Sequence, residues 1–210
     1  MEVGGQPMLA WLVERLRCCG RLSGFAIATS TDRSDDPIAS LAANLSVPVV
    51  RGDLDDVATR LLRAADELDV DAFVRVNGDS PLIDPSLVDH GSACFADGTF
   101  DLVTNAHPRS FPKGQSVEVM RVAALRRVLA ETADPADREH VKRYFYRCAD
   151  RFRIRNFSCA DDFSGVQLSV DSLEDFRNLE LTARAMTRPQ WEYGFRESMD
   201  LRERSARTAW

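Results

Sequence analysis

The sequence predicts an α/β fold in which a doubly wound, mostly parallel sheet carries helices on both faces. Up to Asp79, short apolar runs typical of strands alternate with segments whose apolar residues recur at the 3.6-residue period of a helix. The connections between these segments are a few residues long, which favours parallel strands joined by crossover helices. The 210 residues, 44% of them hydrophobic, suit one domain with a sizeable core.

The elements of the first part follow in regular order. The first helix opens at Pro7, a residue favoured in the first helical turn, and ends near Gly20. A second helix follows Pro37, and a third is opened by the acids of DLDD, which suit the positive end of a helix dipole. The strands between them are predicted at GFAIATS, VPVVRG and DAFVRVNGD.

The second part is less regular. We expect a helix from Pro85, and strands at DLVTN, FPKGQSVEVM, RFRIRNFS and VQLSV. Helices are predicted at AALRRVLAET, PADREHVKRYFYR and SLEDFRNLELTARAM, the last with capping-box spacing at Ser172 and Asp175. We place the α/β domain at residues 1–187 and a C-terminal helical tail at residues 188–210.

Composition excludes several classes of protein. The net charge of −6 gives no support to a nucleic-acid partner, which usually meets a basic face. No apolar run approaches the ~20 residues of a membrane span, and the start, MEVGGQPMLAW, lacks the pattern of a secretory signal. The five cysteines are odd in number and without C-x-x-C spacing, which indicates reduced thiols in a cytoplasmic protein.

Asp79 ends an apolar strand in the stretch VRVNGDSPLIDP. Ligands of doubly wound sheets bind beyond the carboxyl ends of the strands, where this carboxylate is expected. Asn77 and Gly78 permit unusual backbone angles there, and Pro81 fixes the exit of the chain. A carboxylate that hydrogen-bonds its own turn is an equally good interpretation from position alone.

Asp171 favours the ligand-binding interpretation over the turn interpretation. It ends the predicted strand VQLSV and precedes a helix, but Ser172 is the better-placed cap, so capping does not explain it. Two carboxylates at separate strand ends suit Mg²⁺, which combines few carboxylates with phosphate oxygens and water. The hypothesis requires the two strands to lie close together in the sheet.

Several stretches together resemble the cytidylyltransferases that activate acidic sugars, the CMP-sialic acid and CMP-KDO synthetase group. The branch that the chain resembles most is the one associated with spore coat polysaccharide biosynthesis. VRVNGDSPLIDP with the distant VDSLEDF is the more specific pair. The supporting stretches, in the family's order along nearly the whole chain, are GGQPML, ATSTDRSDDPIASLAANLSVPVVRGDLDDVATR, FPKGQSVEV and REHVKRYFY.

The resemblance implies a reaction and its participants. A sugar hydroxyl attacks the α-phosphate of CTP, pyrophosphate leaves, and a CMP-sugar for a bacterial surface polysaccharide is formed. The acids that hold the Mg²⁺ cofactor in the family correspond to Asp79 and Asp171, which are therefore the expected catalytic and metal-binding residues. Family members are commonly dimers, so we expect a homodimer, with no nucleic-acid or membrane partner.

Further site residues are expected from the resemblance. The nucleotide-binding set is Thr29, Ser30, Arg51, Asn77 and Gly78, and the substrate-binding set is Lys113, Gly114 and Glu118. Plainer interpretations stay open: a polar turn before Asp32 for the first two, an ion pair of Arg51 with Asp53, Asp55 or Asp56, and a solvated lysine at 113.

Arg75 lies inside an apolar strand. Burial of an unpaired charge is costly, so it needs a partner, and we interpret it as structural.

The sequence departs from the family at three places. Family members begin with a strand and a glycine- and arginine-containing loop, but this sequence begins almost at GGQPML, so we expect both to be absent. A start placed at an internal methionine and a natural loss are the two interpretations. Ser116 stands where the branch often has an acid, and Lys142-Arg143 where it has threonine-proline, which leaves the acceptor sugar open.

Two other functions are compatible with acids past a strand. A glycosyltransferase that uses a nucleotide-sugar donor would carry two close acids, as in D-x-D, whereas Asn77-Gly78-Asp79 offers one. A non-catalytic nucleotide- or sugar-binding remnant fits the expected loss of the loop, but not the retention of Asp79 and Asp171.

Overall fold

The computed structural model describes residues 1–208. Its strands are β1 Glu2–Val3, β2 Gln6–Pro7, β3 Ile27–Ser30, β4 Val49–Gly52, β5 Ala72–Arg75, β6 Leu102–Thr104, β7 Glu118–Arg121 and β8 Ile154–Asn156. Its α-helices are α1 Met8–Arg17, α2 Asp36–Asn44, α3 Val57–Glu67, α4 Pro85–Ala96, α5 Val122–Glu131, α6 Pro135–Glu139, α7 Lys142–Arg147, α8 Leu173–Ala185 and α9 Phe195–Thr208. Among these described residues, no helix combines the length and the apolar character that crossing a bilayer requires.

The strands form a sheet that is interrupted in its middle. β3 and β4 make a parallel pair, while β5, β7, β6 and β8 make a separate sheet in that order. β7 runs antiparallel to β5 and β6, because an irregular loop rather than a crossover helix connects it to β6. β8 is parallel to β6. The outer edges of β3 and β5 are left facing a cavity instead of each other.

Two apolar clusters cover opposite faces of the four-stranded sheet. Side chains alternate along a strand, so Val103 and Val119 join a cluster with α1 and α4, whereas Leu102 and Met120 join one with α3 and α5. The same alternation along β5 places Val74 against the first cluster and Phe73 against the second. The layered α/β architecture follows from this two-sided burial.

The C-terminal segment is anchored to the domain through Arg15. The guanidinium is fully buried and donates to the backbone carbonyl oxygens of Ile83, Gln190 and Tyr193. Burial lowers the pKa of Arg15 to about 10. The predicted tail thus contains a helix, α9, that packs on α8 with Phe195 among its buried side chains.

A predicted strand and a predicted helix take a different form in the structure, and the short hairpin of β1 and β2 was not predicted. The expected strand VQLSV is wrong, because residues 166–170 contain a single bridge, from Gln167 to Lys113, in place of a ladder. Its partner is a loop that turns away at Gly114, so regular pairing cannot continue. The helix expected through PADREHVKRYFYR is divided into α6 and α7 around His140 and Val141.

The capping box at the start of α8 is confirmed. The Ser172 hydroxyl accepts from the backbone N–H of Asp175 at 3.1 Å, and the Asp175 carboxylate accepts from the N–H of Ser172 at 2.9 Å. We expect Ser172→Ala to lower the free energy of unfolding by about 1 kcal/mol, the usual value of such a cap. Urea unfolding measures this free energy. Ser40→Ala is the control: it removes an exposed hydroxyl within α2, and the stability of this variant should equal that of the wild type. Equal stability of Ser172→Ala and wild type would contradict the prediction.

Candidate active site

The carboxyl ends of β3 and β5 lie at one end of a large cavity. A single helix, α3, connects β4 to β5 through short loops, so β5 runs in the same direction as β4 and β3. The space between residues 25–29 and residues 72–79, hereafter the central cavity, has a volume of about 710 Å³. Asn77, Gly78 and Asp79 line it beyond the end of β5, and Thr29 lines it near the end of β3.

The structure brings together the segments that carry the two predicted catalytic acids. The backbone N–H of Val170 donates to the carbonyl oxygen of Asp79 at 2.8 Å, so Asp171 follows a residue bonded directly to Asp79. The Asp79 carboxylate accepts from the Ser80 hydroxyl at 2.8 Å, and that of Asp171 accepts from the Gln167 amide at 2.7 Å. Asp79 is partly buried and Asp171 exposed, so both carboxylates keep access to solvent.

A backbone clasp holds the segment that precedes Asp171. The N–H of Lys113 donates to the Val166 carbonyl, and the N–H of Leu168 donates to the Lys113 carbonyl, both at 2.9 Å. Gly114 adopts a φ of +87°, and a Cβ there would lie 2.5 Å from the backbone nitrogen of Ser169. Glycine is therefore required at this position for two reasons, its backbone angle and the close approach of the next segment.

The donor set at this edge fits a magnesium ion that takes most of its ligands from a substrate. Among residues 1–208, no group of three or more acids, histidines or cysteines is arranged to enclose a metal. Two carboxylates on neighbouring segments are nevertheless what Mg²⁺ uses when phosphate oxygens and water complete its octahedron. Asp79 and Asp171 are the residues that would hold it.

Asn77 and Gly78 line the central cavity in a turn with ordinary backbone angles. Positive φ angles among the described residues occur at Gly4, Gly5 and Gly114 and at two non-glycine positions elsewhere, so the turn after β5 uses ordinary angles. The unusual backbone angles that Asn77 and Gly78 permit are not used, because the N–H of Ser80 closes the turn on the Asn77 carbonyl without them. A Cβ at Gly78 would meet open space, so the glycine leaves room beside the cavity.

Thr29 and Ser30 hold the loop that follows β3. The Thr29 hydroxyl and the backbone N–H of Ser30 both donate to the carboxylate of Asp35, at 2.7 and 2.8 Å. This matches the plainer interpretation of the pair as a polar turn, and Asp35 was not foreseen. Hydrogen bonds from Ser30 and from Thr29 lower the pKa of Asp35.

The lowered pKa of Asp35 predicts a pH-dependent difference in stability. A carboxylate whose folded pKa lies below its usual value of about 3.9 stabilises the fold above that pH, and the contribution is lost as pH falls through the folded pKa. We therefore expect Asp35→Asn to be less stable than wild type at neutral pH, with the gap closing in acid. Urea unfolding of both proteins between neutral pH and about pH 3 checks this. A gap that is constant with pH would contradict it.

Arg51 reaches the same loop. Its Nε donates to the Ser30 carbonyl at 2.7 Å, and its terminal nitrogen pairs with the Asp36 carboxylate at 2.7 Å. The ion pair expected from the plainer interpretation is thus present, but with Asp36 instead of Asp53, Asp55 or Asp56. Arg51 fixes the β3 loop against β4 in this structure.

The three predicted substrate-binding residues lie in different surroundings. The Lys113 side chain is exposed, and Gly114 is buried under the segment that it clasps. Glu118 is 1% exposed and forms an ion pair with Arg75 at 2.8 Å. Lys142 Nζ lies 3.1 Å from the other carboxylate oxygen, as an ion pair without hydrogen-bond alignment. The partner that Arg75 was expected to need is therefore Glu118.

Other polar residues, which were not predicted from the sequence, lie around this ion pair. The Tyr146 hydroxyl lies 3.1 Å from that of Thr104, and the His107 ring stacks on Tyr146 with 4.2 Å between ring centroids. Burial, together with the charge of Glu118, raises the pKa of Tyr146 to about 12, while the cation of Arg109 opposes this rise. The departure at Lys142-Arg143 was the signal in the sequence that pointed here.

Comparison with known proteins decides the family. The family model described as cytidylyltransferase matches residues 1–199. The chain belongs to the cytidylyltransferase family. The resemblance stated from the sequence is thereby confirmed, and this cytidylyltransferase belongs to a family of enzymes that transfer nucleotidyl groups.

Its relatives include a polysaccharide biosynthesis protein and a sugar cytidylyltransferase. It is 25% identical over 197 residues to the spore coat polysaccharide biosynthesis protein SpsF of Bacillus subtilis, covering 89% of this chain and 80% of that protein. It is 30% identical over 123 residues to a 3-deoxy-manno-octulosonate cytidylyltransferase of Bdellovibrio bacteriovorus, covering 58% of this chain and 49% of that protein.

A solved structure confirms the fold class. A cytidylyltransferase from Leptospira borgpetersenii superposes with a TM-score of 0.93 at 24% identity, covering 99% of this chain and 87% of that one. The α/β fold predicted from the alternation of strands and helices is therefore that of solved cytidylyltransferases.

Proposed function

We propose that this cytidylyltransferase transfers CMP from CTP to an acidic sugar, with release of pyrophosphate, for a bacterial surface polysaccharide. The observation that carries the proposal is the 2.8 Å backbone hydrogen bond from Val170 to Asp79, which joins two acid-bearing segments beside a cavity at the carboxyl edge of the sheet. The similarity to a 3-deoxy-manno-octulosonate cytidylyltransferase and to SpsF supports a sugar as the acceptor.

Asp79 and Asp171 are the residues that would hold the cation that a triphosphate site needs. When bound, Mg²⁺ neutralises the phosphate oxygens of the nucleotide and stabilises the charge on the departing pyrophosphate. The protein adds little covalent chemistry to such a transfer; it positions the reactants. The acceptor oxygen forms a bond to the α-phosphorus, the bond from that phosphorus to the pyrophosphate oxygen breaks, and the hydroxyl proton is released to solvent.

The polar cluster near Glu118 suits a negatively charged acceptor. It combines the cations of Arg75, Lys142 and Arg109 with one buried carboxylate, so its sum of charges is positive. Arg75 and Glu118 lie at strand ends on the same edge of the sheet as Asp79, Arg109 lies in a loop, and Lys142 begins α7. The guanidinium group of arginine and the ammonium group of lysine are the usual partners of a carboxylate such as that of an acidic sugar.

Mg²⁺ as cofactor, a homodimeric assembly and a cytoplasmic location complete the proposal. The first two come with the family resemblance, and the cytoplasmic location comes from the odd number and the spacing of the five cysteines. Sedimentation of the chain at several concentrations tests the dimer separately from the chemistry.

Calorimetric titration of the 210-residue chain with CTP, in the presence and absence of Mg²⁺, tests the nucleotide site. We expect Mg²⁺-dependent binding of CTP and weaker binding of UTP. Pyrophosphate release with 3-deoxy-manno-octulosonate, sialic acid and a neutral hexose then tests the acceptor, and the acidic sugars should be preferred. Mg²⁺-independent binding would refute the metal assignment, and preference for the neutral hexose would refute the acidic acceptor.

A further inference from the structure

The central cavity is a gap within the sheet, and strands form two of its walls. Consecutive residues 25–29 of the β3 segment line one wall, and consecutive residues 72–79 line the other. A ligand pocket above a sheet would contact alternate residues on one face. Here consecutive residues along both strands line the cavity, so the cavity lies in the plane of the sheet.

Helices close both faces of this gap. One face is covered by α1 and α4, which contribute Leu12, Leu16 and Val88. The opposite face is covered by α3, which contributes Val57, Leu61 and Ala64. The cavity therefore offers apolar surface above and below whatever lies between the strands, as for a strand inside a parallel sheet.

The facing edges of β3 and β5 present unpaired backbone groups. On β5, the N–H of Val122 bonds the Asp71 carbonyl, so the alternate residues Ala72 and Val74 direct their N–H and C=O groups into the cavity. On β3, bonds from Ile27 and from Thr31 to the β4 side leave Ala28 facing the cavity. Within residues 1–208, neither strand pairs with another on its cavity side.

We propose that the central cavity is a binding site for an added β-strand: an extended apolar peptide segment of about five residues, ~3.3 Å each along its length. Its backbone would pair with β3 on one edge and β5 on the other, uniting the two sheets into one. An extended backbone is the ligand whose donors and acceptors alternate at the spacing that both walls present. β-branched side chains on its two faces would pack against α1 and α4 on one side and α3 on the other.

A synthetic peptide tests this proposal on the intact 210-residue chain. The probe carries the core Val-Ile-Ala-Ile-Val between pairs of lysines, with a fluorophore at one end. The matched control replaces the central alanine by proline, which removes a backbone donor and the strand conformation. We expect the proline peptide to bind at least about tenfold more weakly by fluorescence anisotropy, the effect of losing one or two hydrogen bonds in a buried site.

Hydrogen exchange locates the site without any substitution. Binding of the probe should slow exchange at the Ala28 and Val74 amides, which face the cavity, and leave exchange at the already paired Ile27 amide unchanged.

The variant Ala28→Pro removes the cavity-side donor of β3 while the ladder to β4 is kept. It should weaken binding of the probe about tenfold.

The contrary results are distinct. Absence of binding, equal binding of the two peptides, or binding without protection at Ala28 and Val74 would each overturn the proposal. Slower exchange at Ala28 and Val74 that appears without the probe as protein concentration rises, together with dimer formation in sedimentation, would also overturn the proposal. It would show that a second copy of this chain occupies the cavity. None of these outcomes depends on CTP or Mg²⁺, so they are separable from a failure of the proposed enzyme activity.

Discussion

Replacing Asp79 or Asp171 by asparagine is expected to weaken Mg²⁺-dependent CTP binding by a factor on the order of 100. Loss of groups that merely support a metal ligand already costs about 10- to 100-fold. The two segments are joined by the Val170–Asp79 hydrogen bond, so each variant should affect the same ion. Asparagine keeps the shape of the side chain and an acceptor oxygen, so the fold should persist.

Calorimetry with CTP at fixed Mg²⁺ measures the effect, and circular dichroism verifies that the variants fold. Asp97→Asn is the matched control, because Asp97 is an exposed aspartate at the end of α4 opposite to the carboxyl edge of the sheet. Its binding should equal that of the wild type. Unchanged Mg²⁺-dependent affinity in both active-site variants would contradict the assignment of the two acids to the metal.

Gly114→Ala is expected to have the largest effect on stability, a loss of about 2–4 kcal/mol in the free energy of unfolding. The left-handed backbone contributes about 1–2 kcal/mol of this cost in a residue with a side chain. The new Cβ would also lie 2.5 Å from the Ser169 nitrogen and 2.7 Å from the Leu168 carbonyl carbon, and overpacking of this kind costs about 1–3 kcal/mol.

Gly165→Ala provides the control, because a Cβ there meets nothing within 4 Å and the residue belongs to the same clasped region. Urea unfolding should show a marked loss for Gly114→Ala and little change for Gly165→Ala. The displaced backbone lies just before Asp171, so the first variant should also weaken Mg²⁺-dependent CTP binding. Equal free energies of unfolding of the two variants would contradict the prediction, because they would show that the backbone at Leu168 and Ser169 moves away without loss of stability.

The strands of the first part could be predicted because each is a short apolar run between turn residues and adjoining helices. VQLSV shows the same pattern but does not form a strand, because its neighbour is the irregular loop at Lys113 and Gly114 instead of an extended strand. A short apolar run shows that a segment is buried. Whether it forms a ladder depends on a partner that lies far away in the sequence.

The site residues divide in the same way. Asp79 and Asp171 were predicted because each follows an apolar run, and because Ser172 is the better-placed cap and leaves Asp171 unexplained. The roles of Thr29, Ser30 and Arg51 in binding the loop after β3 depend on where Asp35 and Asp36 come to lie. The partner of Arg75 was required by the cost of a buried charge, but its identity as Glu118 depends on the register of β5 against β7.

The sequence by itself determined the alternation of strands and helices, the acids that follow apolar runs, the capping box of α8 and the resemblance to the cytidylyltransferases. These features are local, fixed by the spacing and chemistry of residues near one another in the chain. Only the tertiary structure decided that Val170 bonds Asp79, that Glu118 holds Arg75 and Lys142, and that a strand-shaped cavity separates β3 from β5. Such contacts join residues that are distant in the chain, so they follow from how the helices and strands pack together.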